Sequence, residues 1–129
     1  MSLEYCHAFM ADLEARDLDR LKSWFTPESI LWIPPSDAIQ GQQRIVVMFR
    51  LIFRMYTEIH WKVTEIYAVS PSRYIFLTDS WGVIGKQTPY KNNVVTIIEF
   101  TSSGKIQFLS DYFKNTAIFT TEKPLPVTL

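Results

Sequence analysis

Residues 41–69 read GQQRIVVMFRLIFRMYTEIHWKVTEIYAV, and the spacing of their apolar side chains changes halfway along the stretch. The first half repeats apolar residues at i, i+3, i+4 and i+7: Ile45, Met48, Phe49, Ile52 and Met55. This spacing predicts an amphipathic helix over about 42–57. From Ile59 to Val69 the period falls to two, which is typical of a strand. The chain is therefore expected to pass from helix into sheet within these residues.

The two-residue period continues in three more predicted strands further along the chain. They cover Tyr74–Ile84, Val94–Thr101 and Ile106–Lys114, with a loop running through Pro89 between the first two. Consecutive strands joined by short turns pair antiparallel, so a mostly antiparallel sheet is expected.

The first 40 residues predict two helices and one short strand. Apolar positions at helical spacing indicate a first helix over about 4–15, and Asp17 is interpreted as the N-cap of a short second helix. Pro27 is interpreted as the stop signal of that second helix. The β-prone run Ser29–Ile33, which two prolines follow, predicts a brief buried strand.

These elements predict one α+β domain over 1–129, with three N-terminal helices on a curved, mostly antiparallel sheet and an apolar pocket between the two layers. The last residues, about 117–129, are expected to form a surface tail. The Tyr74–Ile84 strand is apolar on both sides, whereas a sheet with one wet face alternates cleanly. Three helices do not cover both faces, so we expect a homodimer through the outer sheet face.

The composition limits the partners that the chain can have. Lysine and arginine total 13, as do aspartate and glutamate, so no basic excess favours a nucleic acid. No apolar run reaches the ~20 residues that cross a bilayer, and no secretory signal is recognised, so no membrane partner and a cytoplasmic location are expected. One cysteine, Cys6, and two histidines do not make a metal-ligand set, and no nucleotide-binding glycine motif occurs, so no metal or cofactor is expected.

Three motifs give the chain a resemblance to a known family. Residues 12–21, DLEARDLDRL, resemble the N-x-G-D-L-D-x-L start of SnoaL-like domains, and residues 40–45, QGQQRI, resemble their x-G-x-x-x-I entry to the third helix. GKI at 104–106, followed by DYF at 111–113, is similar to their G-K-I-x-x-x-x-D-Y-F close. These domains belong to the nuclear-transport-factor-two-like superfamily. The resemblance implies a cone-shaped roll, usually dimeric, with a pocket between the helices and the concave sheet.

The resemblance does not imply one reaction, because this fold carries many chemistries. The epoxide hydrolases of the superfamily place an arginine and an aspartate two residues apart on a strand, and the matching positions here are Ser80 and Gly82. The positions that match the tyrosine and the two acids of the steroid isomerases also lack those groups: Phe9, Ile33 and Thr96. These two mechanisms are therefore not expected in this chain.

Asp111, in the DYF segment, is the candidate catalytic residue. On a strand it shares a face with Leu109 and Phe113, and a carboxylate among apolar neighbours is expected to have a raised pKa, suited to a general acid or base. The alternative is a structural aspartate that bonds backbone N–H groups or faces the sheet rim. The predicted ligand pocket consists of the following residues: Phe9, Leu13, Ile33, Tyr56, Thr78, Ser80, Thr96, Leu109 and Phe113.

Two functions remain open from the sequence. One is an acid–base enzyme of isomerase, cyclase, dehydratase or hydrolase type that acts on a small hydrophobic molecule. The other is a non-catalytic ligand-binding or dimeric assembly module. His60 is either a surface or interface histidine or a proton shuttle near the pocket, and Asp79 is expected to face solvent or the dimer interface.

Overall fold

The computed structural model describes residues 2–119, which form three helices and one sheet of six strands. The helices are α1 (Ser2–Glu14), α2 (Leu18–Ser23) and α3 (Gln42–Met55), and a short 3₁₀ turn covers Ala117–Phe119. The strands are β1 (Phe25–Trp32), β2 (Ile39–Gln40), β3 (Tyr56–Ala68), β4 (Arg73–Ile84), β5 (Thr88–Phe100) and β6 (Ile106–Phe113). Residues 120–129, most of the predicted tail, lie outside the described residues.

The helices begin and end close to the predicted residues. Asp17 caps α2, because its Oδ1 accepts the backbone N–H of Arg20 at 3.1 Å. Helix α3 ends at Met55, two residues before the predicted end, because the chain enters β3 at once at Tyr56. Met55 is consequently 51% exposed rather than part of the buried stripe.

The sheet order is β2-β1-β6-β5-β4-β3, and every neighbouring pair is antiparallel except β1 and β6. The parallel pair was not predicted, because β1 and β6 are far apart in sequence. The predicted strand at residues 29–33 begins earlier, at Phe25. Pro27 therefore lies inside a strand and not at a helix stop. It sits where the pairing with β6 is interrupted, between Phe25 and Ile30, so its missing N–H breaks no regular ladder.

Strand β5 is longer than predicted, because the expected loop through Pro89 is a turn of three residues, 85–87. Pro89 pairs with Val83 of β4. On its other side β5 meets β6 only from Val94 onward. The first residues of β5 thus form a local edge, where a proline is tolerated.

The sheet has a face toward the helices, here called the inner face, and an outer face. Inner-face and helix residues form one apolar core, which includes Phe9, Leu21, Phe25, Ile45, Phe49, Phe76, Ile98, Ile106 and Leu109. The outer face exposes Trp32, Trp81, Val95 and Tyr112. Cys6 is buried in this core on α1.

A bulge shifts the register between β3 and β4 at the start of β3. Glu58 pairs with Val83 and Ile59 with Gly82, while Tyr56 pairs with Ile84, so Thr57 is the additional residue. The backbone approaches so closely that a Cβ added at Gly82 would lie 2.0 Å from the Glu58 carbonyl oxygen. Glycine is therefore required at this position, and the bulge turns both Tyr56 and Ile59 into the interior.

Candidate functional site

A narrow cavity lies between the helices and the inner face of the sheet. It is lined by Phe9, Met10, Leu13, Ile33, Phe49, Trp61, Phe76, Thr78, Val94, Thr96, Leu109 and Asp111. Its volume is about 30 Å³, which is room for one or two water molecules. The wall is apolar apart from the two threonines and the aspartate.

Asp111 is the ionisable residue of this lining. It projects from β6 beside Thr96 of β5, with which it is paired across the sheet, and the Thr96 hydroxyl donates a hydrogen bond of 2.6 Å to its Oδ1. Burial raises the pKa of Asp111 to about 6, and the hydrogen bond from Thr96 acts in the opposite direction. The carboxyl group therefore changes its charge close to neutral pH.

Thr78 brings an unpaired hydroxyl to the same cavity. The residue is 2% exposed, and its Oγ1 is a buried side-chain oxygen without a hydrogen-bond partner within the described chain. It lies on β4, where it pairs with Val63 and Val94. A buried hydroxyl is usually satisfied, so this group is unusual.

The cavity brings together most of the residues predicted for the site. Asp111 is joined there by six of the predicted pocket residues: Phe9, Leu13, Ile33, Thr78, Thr96 and Leu109. Phe9, Ile33 and Thr96 are also the positions that match the catalytic groups of steroid isomerases. The structure thus places them around one space, where they offer no second acid or base.

Three predicted pocket residues lie outside this lining. Tyr56 packs against Tyr90 with ring centroids 4.9 Å apart, in a small separate cluster. Ser80 is buried, and its hydroxyl donates to the His60 carbonyl at 3.0 Å. The ring of Phe113 packs against the ring of Phe119, with the two centroids 5.1 Å apart. Alternation along a strand indicates the correct face, but it does not indicate how far along that face a cavity extends.

Five lining residues were not predicted: Met10, Phe49, Trp61, Phe76 and Val94. Phe49 belongs to the apolar stripe of α3, and the other aromatic residues follow the strand alternation, so their inward orientation could be read from the sequence. The position of α1 across the sheet could not be read from the sequence. This position decides which inward-facing residues border the cavity and which are fully packed.

His60 and Asp79 lie away from the cavity. His60 bridges two carboxylates, with Nδ1 at 2.6 Å from Glu14 and Nε2 at 3.0 Å from Glu58. The hydrogen bond with Glu14, and then that with Glu58, raises the pKa of His60. Asp79 is exposed on the outer face, where its Oδ1 accepts an N–H of Asn93 at 2.8 Å. His60 is a surface histidine that joins α1 to β3.

Residues 2–119 contain no cluster of three or more His, Cys, Asp or Glu side chains that could hold a metal ion. Burial raises the pKa of the Cys6 thiol to about 12, so this cysteine is protonated at neutral pH. Among the helices of the described chain, none has both the length and the apolar character for crossing a bilayer.

Three helices on an open, mostly antiparallel six-stranded sheet, with a cavity between the layers, are the cone fold of nuclear-transport-factor-two-like proteins. The model of the SnoaL-like domain family matches residues 6–108. This chain belongs to the SnoaL-like family.

Solved structures share this fold at low sequence identity. The epoxide hydrolase/cyclase-like enzyme SalBIII, described for its role in pyran ring formation in salinomycin, is 16% identical over 89% of this chain and 92% of its own, with a TM-score of 0.78. A putative SnoaL-like polyketide cyclase from Jannaschia sp. CCS1 is 13% identical over 97% and 93%, with a TM-score of 0.79. TerC, crystallised with polyporic acid, is 16% identical over 93% and 95%, with a TM-score of 0.80. No curated protein sequence matches this chain.

Proposed function

We propose that this chain binds a small, largely apolar molecule in the cavity beside Asp111 and that the Asp111 carboxyl group transfers a proton to or from it. The observation that carries the proposal is the position of one carboxyl group, with a raised pKa of about 6, in a wall that is apolar apart from two threonines. A general acid or base works best when its pKa lies near the working pH. The low polarity of the surroundings also strengthens any charge interaction with the reacting molecule.

The composition of the wall favours isomerisation or ring closure. Among the described residues, Asp111 is the sole ionisable group that lines the cavity. One carboxylate can take a proton from one atom of a substrate and return it to another, and this completes an isomerisation or an intramolecular cyclisation. Dehydration or hydrolysis by paired groups would call for a second acid or base. The names of SalBIII and the Jannaschia cyclase agree with this class of reaction.

Binding requires the cavity to widen, since about 30 Å³ is far below the volume of an organic ligand. Met10 supports this step, because it borders the cavity from α1 and is only partly buried. Methionine has three rotatable bonds and re-packs at low cost. A ligand can therefore take the space that the Met10 side chain vacates.

We propose self-association as a second activity. It does not depend on catalysis, so a non-catalytic module would have it too. An apolar belt crosses the outer face through paired positions of β6, β5 and β4: Tyr112 beside Val95, and Val95 beside Leu77. Lys62 and Asp79 are paired at its margin, so the surface carries both signs of charge. A surface of this kind can pair with a copy of itself around a two-fold axis. We propose a second copy of this chain as its partner.

Proton transfer can be tested without the natural substrate. Cyclohexanone dissolved in D₂O exchanges its α-hydrogens when a base breaks the C–H bond and deuterium returns from the solvent. We expect the chain to accelerate this exchange, by about a hundredfold for a positioned base, with a rate that rises through about pH 6. Asp111→Asn keeps the shape of the side chain and should abolish the acceleration.

The control is Asp79→Asn, which changes an exposed aspartate on the outer face. It should leave the exchange rate unchanged. Equal rates for the wild-type chain and Asp111→Asn would contradict the assignment of Asp111 as the base.

A further inference from the structure

The unpaired hydroxyl of Thr78 calls for an explanation that the proton transfer does not give. Leaving a buried hydroxyl without a partner costs free energy, whereas valine has nearly the same shape and no hydroxyl. Ser80 and Thr96, the neighbouring buried hydroxyl residues of the inner face, both donate hydrogen bonds within the chain. Thr78 differs from them in that its hydroxyl stays unused beside a cavity.

We propose that Thr78 is a specificity-determining residue whose hydroxyl binds a second oxygen of the ligand, on the opposite side of the cavity from the group that faces Asp111. This inference rests on the proposed binding function and adds the chemical class of the ligand. The ligand is an apolar ring or chain that carries two oxygen functions, one at each side of the cavity.

The strand order sets the separation between the two polar groups. Thr78 lies on β4 and Asp111 on β6, with β5 between them. Asp111 is level with Thr96 and, through it, with Phe76, so Thr78 lies two residues further along β4. Two interstrand spacings together with this offset of two residues place the two backbones roughly 12 Å apart. Both side chains reach inward into the same cavity. We expect one substituted six-membered ring, with a hydrogen bond at each end, to span the gap between their polar atoms. The wall between them is formed on β5 by Val94 and by Thr96, whose hydroxyl is already bonded to Asp111.

The donor and acceptor capacities distinguish the two oxygens. An ionised carboxylate only accepts hydrogen bonds, and Asp111 has accepting capacity left beyond its single bond from Thr96. The ligand group at Asp111 is therefore a donor, such as a phenol or an enol. The Thr78 hydroxyl can donate, so a carbonyl oxygen fits at that side. A hydroxyketone of this geometry satisfies both ends.

Three probes of similar shape test this inference: 4-hydroxyacetophenone has both oxygens, 4-isopropylphenol lacks the carbonyl, and acetophenone lacks the hydroxyl. Binding is followed by NMR at the indole of Trp61 and the methyl groups of Leu109, which both line the cavity. We expect 4-hydroxyacetophenone to bind most tightly. Thr78→Val should weaken it about fivefold, the effect of one net hydrogen bond, and leave 4-isopropylphenol unchanged.

Thr78→Ser is the matched control, because it keeps the hydroxyl and should keep the preference for the carbonyl. If all three probes bind and Thr78→Val changes no affinity, the Thr78 hydroxyl binds only an ordered water. That result overturns this inference and leaves the proposed binding function intact. If none of the probes shifts the Trp61 and Leu109 signals, the binding function itself is overturned, and this inference with it.

Discussion

At the scale of the residue, we expect the ionised Asp111 carboxylate to lower the stability of the folded chain at neutral pH. Its pKa is about 6 in the fold against 3.8 for the ordinary group, so the folded state holds the proton more tightly. The loss of stability is absent at a pH below the ordinary pKa of 3.8 and is complete at a pH above the folded-state pKa of about 6. We expect Asp111→Asn to raise the free energy of unfolding by up to about 3 kcal/mol at slightly alkaline pH, with the gain disappearing as the pH falls toward 3.8.

Urea unfolding at several pH values measures this difference. The amide that Asp111→Asn introduces still has an oxygen to accept the Thr96 hydroxyl, so the comparison isolates the charge. An Asp111→Asn chain that is less stable than the wild type at alkaline pH would mean that the carboxylate stabilises the fold, contrary to a desolvated site.

The sequence named Asp111 as the candidate catalytic residue for two reasons. It begins the D-Y-F motif, and the alternation of the strand places it on one face with Leu109 and Phe113. The face of Thr78, Thr96 and Leu109 was predicted in the same way. The unpaired hydroxyl of Thr78 could not be predicted, since pairing depends on which atoms of other elements come within about 3 Å. Residue types on a face follow from periodicity, whereas their hydrogen bonds follow only from the packed structure.

At the scale of the element, Arg16 joins the turn between α1 and α2 to the end of α3. It has φ +57° and occupies the place of the glycine in the N-x-G-D-L-D pattern. Its guanidinium donates to the carbonyls of Phe53 and Tyr56, the latter at 2.9 Å. These carbonyls belong to the last turn of α3 and the residue after it, which lack partners within the helix. The hydrogen bonds hold a left-handed backbone that an arginine rarely adopts.

Two substitutions separate the strain from the hydrogen bonds. Arg16→Ala loses the hydrogen bonds and keeps the strain, so we expect it to lower the free energy of unfolding by about 2 kcal/mol. Arg16→Gly also loses them but relieves the strain, and should be about 1 kcal/mol more stable than Arg16→Ala. Thermal or urea unfolding gives both values. Equal stability of the two variants would show that the positive φ carries no cost.

The sequence predicted the helices and the long strands because each has a clear period. It did not predict the start of β5 or the inclusion of Pro27 in β1, because a proline normally ends a regular element. Both prolines lie where the neighbouring strand is absent or bulged. Such places depend on the register between strands, which the sequence of one strand does not contain.

At the scale of the whole molecule, the outer face is expected to bury itself against a second chain. Val95 is 37% exposed near the middle of this face, and Val47 on α3 is 46% exposed away from it. We expect Val95→Glu to halve the mass measured by light scattering, from twice 15.1 kDa to that of one chain. Val47→Glu is the matched control and should leave the dimer intact.

A mass of 15.1 kDa for the wild type and for both variants would show that all three are monomers, and would contradict the dimer. The sequence indicated this face by its apolar residues on both sides of β4, and the structure exposes Trp32, Trp81 and Tyr112 on it. The dimer itself stays a prediction. The fold class could be predicted from the order of the elements. The small volume of the cavity could not, because it depends on how closely α1 approaches the sheet.

The carboxyl group of Asp111, desolvated in the cavity and exchanging a proton near neutral pH, is the feature on which the proposed function depends. An NMR titration of its carboxyl carbon tests this directly. We predict a pKa of about 6 in the wild-type chain and a higher pKa in Thr96→Val, because that substitution removes the hydrogen bond that lowers it. A titration at the ordinary pKa of 3.8, unchanged by Thr96→Val, would contradict a desolvated Asp111.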